Sequence, residues 1–268
     1  MTAGAGEAPE ATGWPAPAPG AAPRAKMIMA QAGLETRMLV RNGEQLVLTL
    51  VIPVLLLTVL SLDRHLVSEG SGRPVDFLVP GMIALAVLST AFTSQAIATG
   101  FERRYGVLKR LGTTPLSRRG LIAAKTLTVL VVEVLQSVLI VAVALGLGWQ
   151  PHGGTGAVAS VILLMVAGTA AFSGLALLLA GTLRAEATLA AANLLYLVML
   201  GIGGVGVPLT KFPPSAQPLL RLLPAGALST GLRSVLQYGS GLPVRDLLVL
   251  VVWAVAGIAL AVRFFRWE

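Results

Sequence analysis

The sequence has 268 residues, 55% of them hydrophobic and only 12% charged, with a mean hydropathy of +0.82 and a net charge of +8. That leaves too little polar surface for a soluble domain, so the chain reads as an all-α integral membrane protein, its positive excess the bias of cytoplasmic loops rather than a nucleic-acid footprint. It contains no cysteine, which excludes disulfide and thiolate-metal chemistry.

Residues 1–25 hold Pro9, Pro15, Pro17, Pro19 and Pro23 among Ala and Gly. Such a stretch buries nothing and is expected to be a disordered cytoplasmic tail, with residues 26–268 forming a single transmembrane domain. It has no basic start followed by an apolar run, so a cleavable signal peptide is not expected. From Lys26 to Arg41, apolar Met27, Ile28, Leu34, Met38 and Leu39 alternate with Glu35, Arg37 and Arg41. This pattern suits a helix lying in the membrane interface, or a cytosolic extension of the first span.

Six spans are expected, at about 46–62, 77–98, 124–147, 157–183, 187–202 and 247–262. Pro53 should kink the first, and Arg263, Arg266 and Trp267 should anchor the last at the interface. Between the fifth and sixth lie Pro208, Pro213, Pro214, Pro218, Pro224 and Pro243. Two helices too short to span, Ser215–Leu223 and Ala227–Gln237, are expected there as re-entrant outer helices, covered by protein because bare backbone is not tolerated in lipid. Six spans put both termini on one side. Lys and Arg then number 14 on that side and six on the other, which places the termini in the cytoplasm.

The one long polar interruption is Phe101–Lys125. It holds Arg103, Arg104, Lys109, Arg110, Arg118, Arg119 and Lys125 against a single acid, Glu102. Val107, Leu108 and Leu111 recur at helical spacing. Gly112 is expected to end that helix in a left-handed cap, and Thr114 to cap the next helix with Pro115 at its first position. A solvated loop explains the charges but not the apolar stripe, which calls for a partner surface.

Catalytic signatures are scarce. No P-loop pattern GxxxxGK[ST] occurs, so ATP binding by that motif is not expected here. His65 and His152 fall in different loops without ligand-spaced neighbours, and neither an HExxH motif nor a Ser-His-Asp set can be assembled. One carboxylate lies deep in a span: Glu133, with Gln136 and Ser137 on the same helical face. It must face protein or water, either lining a pathway or hydrogen-bonding a neighbouring helix. The second span carries Ser89 with Thr93 and Thr90 with Ser94, each one turn apart, plus Gln95. The fourth carries Ala167, Ala170, Ala171 and Gly174 at the spacing of close helix packing. Thr90, Ser94, Glu133, Gln136, Asn193 and Tyr196 are the candidate pathway residues.

The run Glu102-Arg103-Arg104-Tyr105-Gly106-Val107-Leu108-Lys109-Arg110-Leu111, then Thr114-Pro115-Leu116-Ser117, resembles the "ER-x-x-G-T-L-x-x-L … P-L-S" loop of bacterial type-2 ABC exporter permeases of the daunorubicin-resistance class. Val207-Pro208, Lys211-Phe212-Pro213, Leu223-Pro224 and Leu232-Arg233 are similar to that family's segment before the last span. Val107 stands where the family usually has Thr. The resemblance implies a multi-pass permease of the bacterial cytoplasmic membrane, six spans per protomer, paired with a second permease subunit. It implies that the stretch from Glu102 to Ser117, Gly112 included, is a coupling helix and loop docked on a separate ATP-binding subunit, which would hold the ATP and Mg. The cargo implied is an amphipathic drug, antibiotic or lipid-like molecule. The alternatives are an ion-coupled secondary transporter or channel, or a non-transporting membrane assembly factor.

Overall fold

The computed structural model describes residues 20, 22–41, 43–62, 73–152 and 154–264. The proline-rich tail, most of the loop after the first expected span with His65, and the anchors Arg266 and Trp267 lie outside the described residues.

The described residues form helices and no strand. Helix α1 covers Arg24–Arg41 and α2 Gly43–Leu62. Then α3, Pro74–Val87, runs through a π-helical segment, Leu88–Ser94, into α4, Gln95–Arg104. The chain continues through α5, Val107–Gly112, α6, Arg118–Gly146, α7, Gly154–Thr182, and α8, Ala185–Ile202. A 3-10 turn at Leu209–Lys211 precedes α9, Gln217–Leu220, α10, Pro224–Leu236, and α11, Val244–Phe264. Five stretches are long and apolar enough to cross a membrane: Pro74–Arg104, Arg118–Gly146, Gly156–Thr182, Ala185–Ile202 and Val244–Phe264. In α2 the shorter apolar stretch Thr49–Leu62 follows the same composition and contains Pro53.

The hub is the continuous helix from Pro74 to Arg104. Of its most apolar window 89% is buried, against 17% for α8, so the other helices pack around it while α8 keeps an open apolar face. Phe77, Leu78, Ile83, Leu88 and Phe92 on the hub meet Leu164 and Phe172 of α7 and Leu228 of α10 in one core. The rings of Phe92 and Phe172 sit 6.4 Å apart, tilted.

The seam between α7 and α11 is closed by small residues. A Cβ on Gly174 would fall 2.7 Å from the Ile258 nitrogen, and one on Gly257 would fall 3.2 Å from the Gly174 carbonyl carbon. The backbones touch because neither residue has a side chain. Gly174 is the residue whose spacing pointed to close packing; its partner Gly257 stands at the same spacing from Ala261, a pair the expectations did not include.

Of the two helices expected between the last spans, Ala227–Gln237 corresponds to α10, which ends one residue sooner, at Leu236, and is lengthened at its start to Pro224, where proline's missing N–H costs nothing. Ser215–Leu223 is not one helix: only Gln217–Leu220 is helical, between turns. Pro218 fits its first turn, and at Leu223 the chain turns extended ahead of Pro224. Helix α10 is almost wholly buried among α3, α7 and α11. Ser229 Oγ donates to the Gly203 carbonyl at 2.6 Å, and Arg233 donates to the carbonyls of Gly204 and of Val205, the latter at 2.8 Å. The guanidinium also lies 4.1 Å from the Phe77 ring centroid. A buried arginine thus satisfies the carbonyls freed where α8 ends in glycine, the use that makes such burial affordable.

Candidate functional site

The organising stretch begins where the hub ends. Helix α4 stops at Arg104, and Gly106, at φ +73°, turns the chain into α5. A left-handed residue is therefore present, but it is Gly106 at the start of α5, not Gly112, which is the last residue of a right-handed helix. The helix expected over Glu102–Leu111 is broken there into two. The second expected cap is also corrected. Ser117 caps α6, accepting from the Gly120 N–H at 3.1 Å, and Arg118 is its first residue. Thr114 lies three residues too early to cap α6; its hydroxyl donates back to the Leu111 carbonyl at 2.6 Å and accepts from the Leu116 N–H at 3.4 Å, which shapes the turn after α5.

The apolar stripe is divided. Leu108 is fully buried with Leu116 and Leu121, and Met27 and Ile28 of α1 and the half-buried Leu111 pack against them. The stripe's partners are thus within the chain: Leu116 before α6 and Leu121 within it, with Met27 and Ile28 of α1 packed against them. What stays exposed is Tyr105 at 70% and Val107 at 42%, together with Lys109, Arg110, Gly112, Pro115, Ser117, Arg118 and Arg119. The result is a small platform of two apolar side chains ringed by cations, built from the turn at Tyr105, the six-residue helix α5 and the start of α6. Arg103 donates to the Leu183 carbonyl and Arg104 pairs with Glu186, which ties the platform to the α7–α8 connection.

Behind the platform a buried ion cluster joins three elements. Lys125 of α6, only 4% exposed, lies 2.7 Å from Glu102 of α4 and 3.3 Å from Glu35 of α1. Gln31 donates to the same Glu35 oxygen at 2.8 Å, and Thr128 donates to the Ala32 carbonyl at 3.2 Å. These contacts fix α1 against α6, so movement of α4 is felt by both. Sequence reasoning placed all three charged residues but did not pair them. The signal was there: a lysine followed directly by an apolar span needs an acid at its own depth.

Beside the cluster lies a cavity of about 240 Å³. Thr90, Ser94, Gln95 and Thr99 line one wall, Val129 and Val132 another. A second cavity of about 180 Å³ is bounded by Thr49, Pro53, Ser89, Ser94 and Tyr196, so Ser94 reaches both. The π-helical segment carries Ser89, Thr90 and Ser94 between them; widened turns of this kind recur at functional sites.

The candidate pathway residues separate on this map. Thr90 and Ser94 line the first cavity, Ser94 and Tyr196 the second. Gln136 is buried, receiving from Thr90 at 3.1 Å and donating to the Thr49 carbonyl at 3.0 Å. Glu133 is fully buried and lines neither cavity. Thr169 of α7 donates to one of its oxygens, while the other has no partner. That is the hydrogen bond to a neighbouring helix which a buried carboxyl requires. Asn193 is exposed on the open face of α8. Among the described residues no group of acidic or histidine side chains is arranged to hold a metal ion.

A family model described as ABC-2 family transporter protein matches residues 68–263, from just before the hub to the end of α11. No curated protein matches the sequence.

Proposed function

The chain belongs to the ABC-2 family of transporter proteins, and from that premise we propose that it is the membrane-spanning subunit of an ATP-driven exporter of the daunorubicin-resistance-like class. In this reading the protein crosses the bacterial cytoplasmic membrane six times, α2 included, with both termini inside. A separate subunit binds ATP and Mg and docks on the platform from Tyr105 to Arg119. A second permease subunit packs on α8, whose open apolar face and exposed Asn193 suit a helix–helix contact. The cargo is an amphipathic drug, antibiotic or lipid-like molecule.

The observation that carries the reading is the platform itself. It is short, apolar at its centre and cationic at its rim, and it is joined to the hub through the turn at Tyr105 and Gly106 and to α6 through the five residues Thr113–Ser117. Closure of an ATPase beneath it would tilt α4, and the Lys125 cluster would pass that tilt to α1. The cations suit an acidic rim on the partner and set register more than affinity.

The test is transport by the complex in proteoliposomes. Export of a fluorescent amphiphile should require ATP and persist when proton and sodium gradients are collapsed. Transport that follows the ion gradient and ignores ATP would assign the chain to the ion-coupled class instead.

A further inference from the structure

We propose that the cavity between α1, α4 and α6 is a binding site for a primary ammonium headgroup on an apolar tail, with Gln95, Glu35 and Glu102 as its polar receptor. The proposal rests on the exporter reading only for what the ligand is used for. The site stands on its own geometry.

Three observations converge. The first is an unpaired amide. Gln95 is only 6% exposed and lines the cavity, yet neither its Oε1 nor its Nε2 has a hydrogen-bond partner, and the buried Thr99 hydroxyl beside it has none. A buried amide left so is costly, and a ligand that supplies a donor and an acceptor removes the cost. The second is charge. The charged groups lining the cavity are Glu35 from α1, Glu102 from α4 and Lys125 from α6. Two carboxylates face one ammonium, so the site carries one negative charge in excess when all three are ionised. Lys125 is held between the two acids and leaves their remaining lone pairs for a second cation. The third is shape. Met38, Leu39, Val129 and Val132 supply an apolar side to the same cavity, and Met38 is 56% exposed, so the apolar side reaches the surface of the protein.

Together these select a ligand. Its ammonium meets the carboxylate oxygens that Lys125 does not engage and donates to Gln95 Oε1. An oxygen next to the ammonium accepts from Gln95 Nε2, and the tail leaves past Met38. An anionic amphiphile meets the excess carboxylate, and a neutral one leaves it uncompensated. The chemistry is shared by a free cationic amphiphile and by the ethanolamine head of a membrane lipid.

The experiment uses the purified full chain in phosphatidylcholine nanodiscs without nucleotide. The probe is radiolabelled 2-aminoethyl dodecanoate, whose ammonium stands two carbons from an ester. Saturable binding is expected. Unlabelled probe should compete, whereas 2-hydroxyethyl dodecanoate and dodecyl sulfate should not. Gln95→Leu and Glu35→Gln should each weaken binding by roughly tenfold, the scale of one lost charge-assisted hydrogen bond. Added phosphatidylethanolamine distinguishes the sources: competition assigns the site to the lipid head, and unchanged binding assigns it to a free amphiphile. The wild-type competition needs no variant to fold. No saturable binding in either disc, or equal displacement by the hydroxyl analogue or the sulfate, overturns the proposal, as does full affinity in Gln95→Leu. Amine-selective binding without ATP-driven transport would sink the exporter reading and leave this site standing. ATP-driven transport without selective binding would do the reverse.

Discussion

The seam between α7 and α11 and the junction of α1, α4 and α6 solve opposite problems. At the seam Gly174 and Gly257 bring two backbones into contact, too close for a Cβ between them. At the junction a lysine is shared between two acids, an amide is unpaired and a cavity of about 240 Å³ stays open. Close packing gives one arrangement; an unpaired amide beside a void leaves the cavity wall less fully specified, although the ion pairs hold the helices around it. The comparison teaches where this protein is a frame and where it can change.

The largest effect should come from breaking the frame. Gly174→Val drives a branched side chain into the α11 backbone, a clash worth about 4 kcal/mol or more because neither backbone can withdraw. We expect no monodisperse protein on size exclusion after extraction. A folded, stable variant would show that the seam is not close-packed.

Next comes the junction. Lys125→Met leaves Glu35 and Glu102 without their shared cation, at a cost of about 3 kcal/mol. Here the loss should be local: α1 detaches while the seam survives. A cysteine at Ala32, in a chain that has none of its own, should become reactive to maleimide in the variant and stay shielded in the wild-type background. Global unfolding instead would mean that the two regions are not separable.

Much of this was legible in the sequence, and the part that was not has a common cause. The apolar runs, the basic stretch and the longer of the two short helices before α11 follow from hydropathy and proline, which act locally; Ser215–Leu223 shrank to Gln217–Leu220. The glycine assignment differs because Gly106 and Gly112 stand at opposite ends of the same short helix, α5, in one polar stretch. Only the path of the chain decides which one needs a positive φ. The stripe at Leu108 is visible in the sequence, but its cover is not: Leu116 and Leu121 fold back on it across a turn, and Met27 and Ile28 of α1 come from some 80 residues earlier, which no local pattern reveals. The π-helical segment leaves no trace in composition, and the role of Arg233 depends on carbonyls from another helix end.

A smaller effect sharpens the turn. Gly106→Val forces a branched residue into the left-handed region at about 2 kcal/mol and should re-aim α5. ATP turnover by the complex should persist while transport falls. Gly112→Ala, in a right-handed helix, should change neither. The reverse result would return the turn to Gly112. Smallest of all, Arg104→Ala removes an exposed pair with Glu186 and should leave the melting temperature unchanged, since solvent screens both partners.

The central claim is that the exposed face of α5, and not its buried face, meets the ATP-binding subunit. It is tested most directly by placing a photoreactive maleimide on a single cysteine at Val107 and irradiating native membranes. The chain's lack of cysteine makes the label unique. The captured chain should bind an ATP analogue, and capture should be lost when Tyr105→Asp is added, with the melting temperature of the permease unchanged. Val107 capturing no nucleotide-binding chain, while transport remains ATP-driven, would contradict the claim and leave the stretch a cytoplasmic loop held by its own first helix.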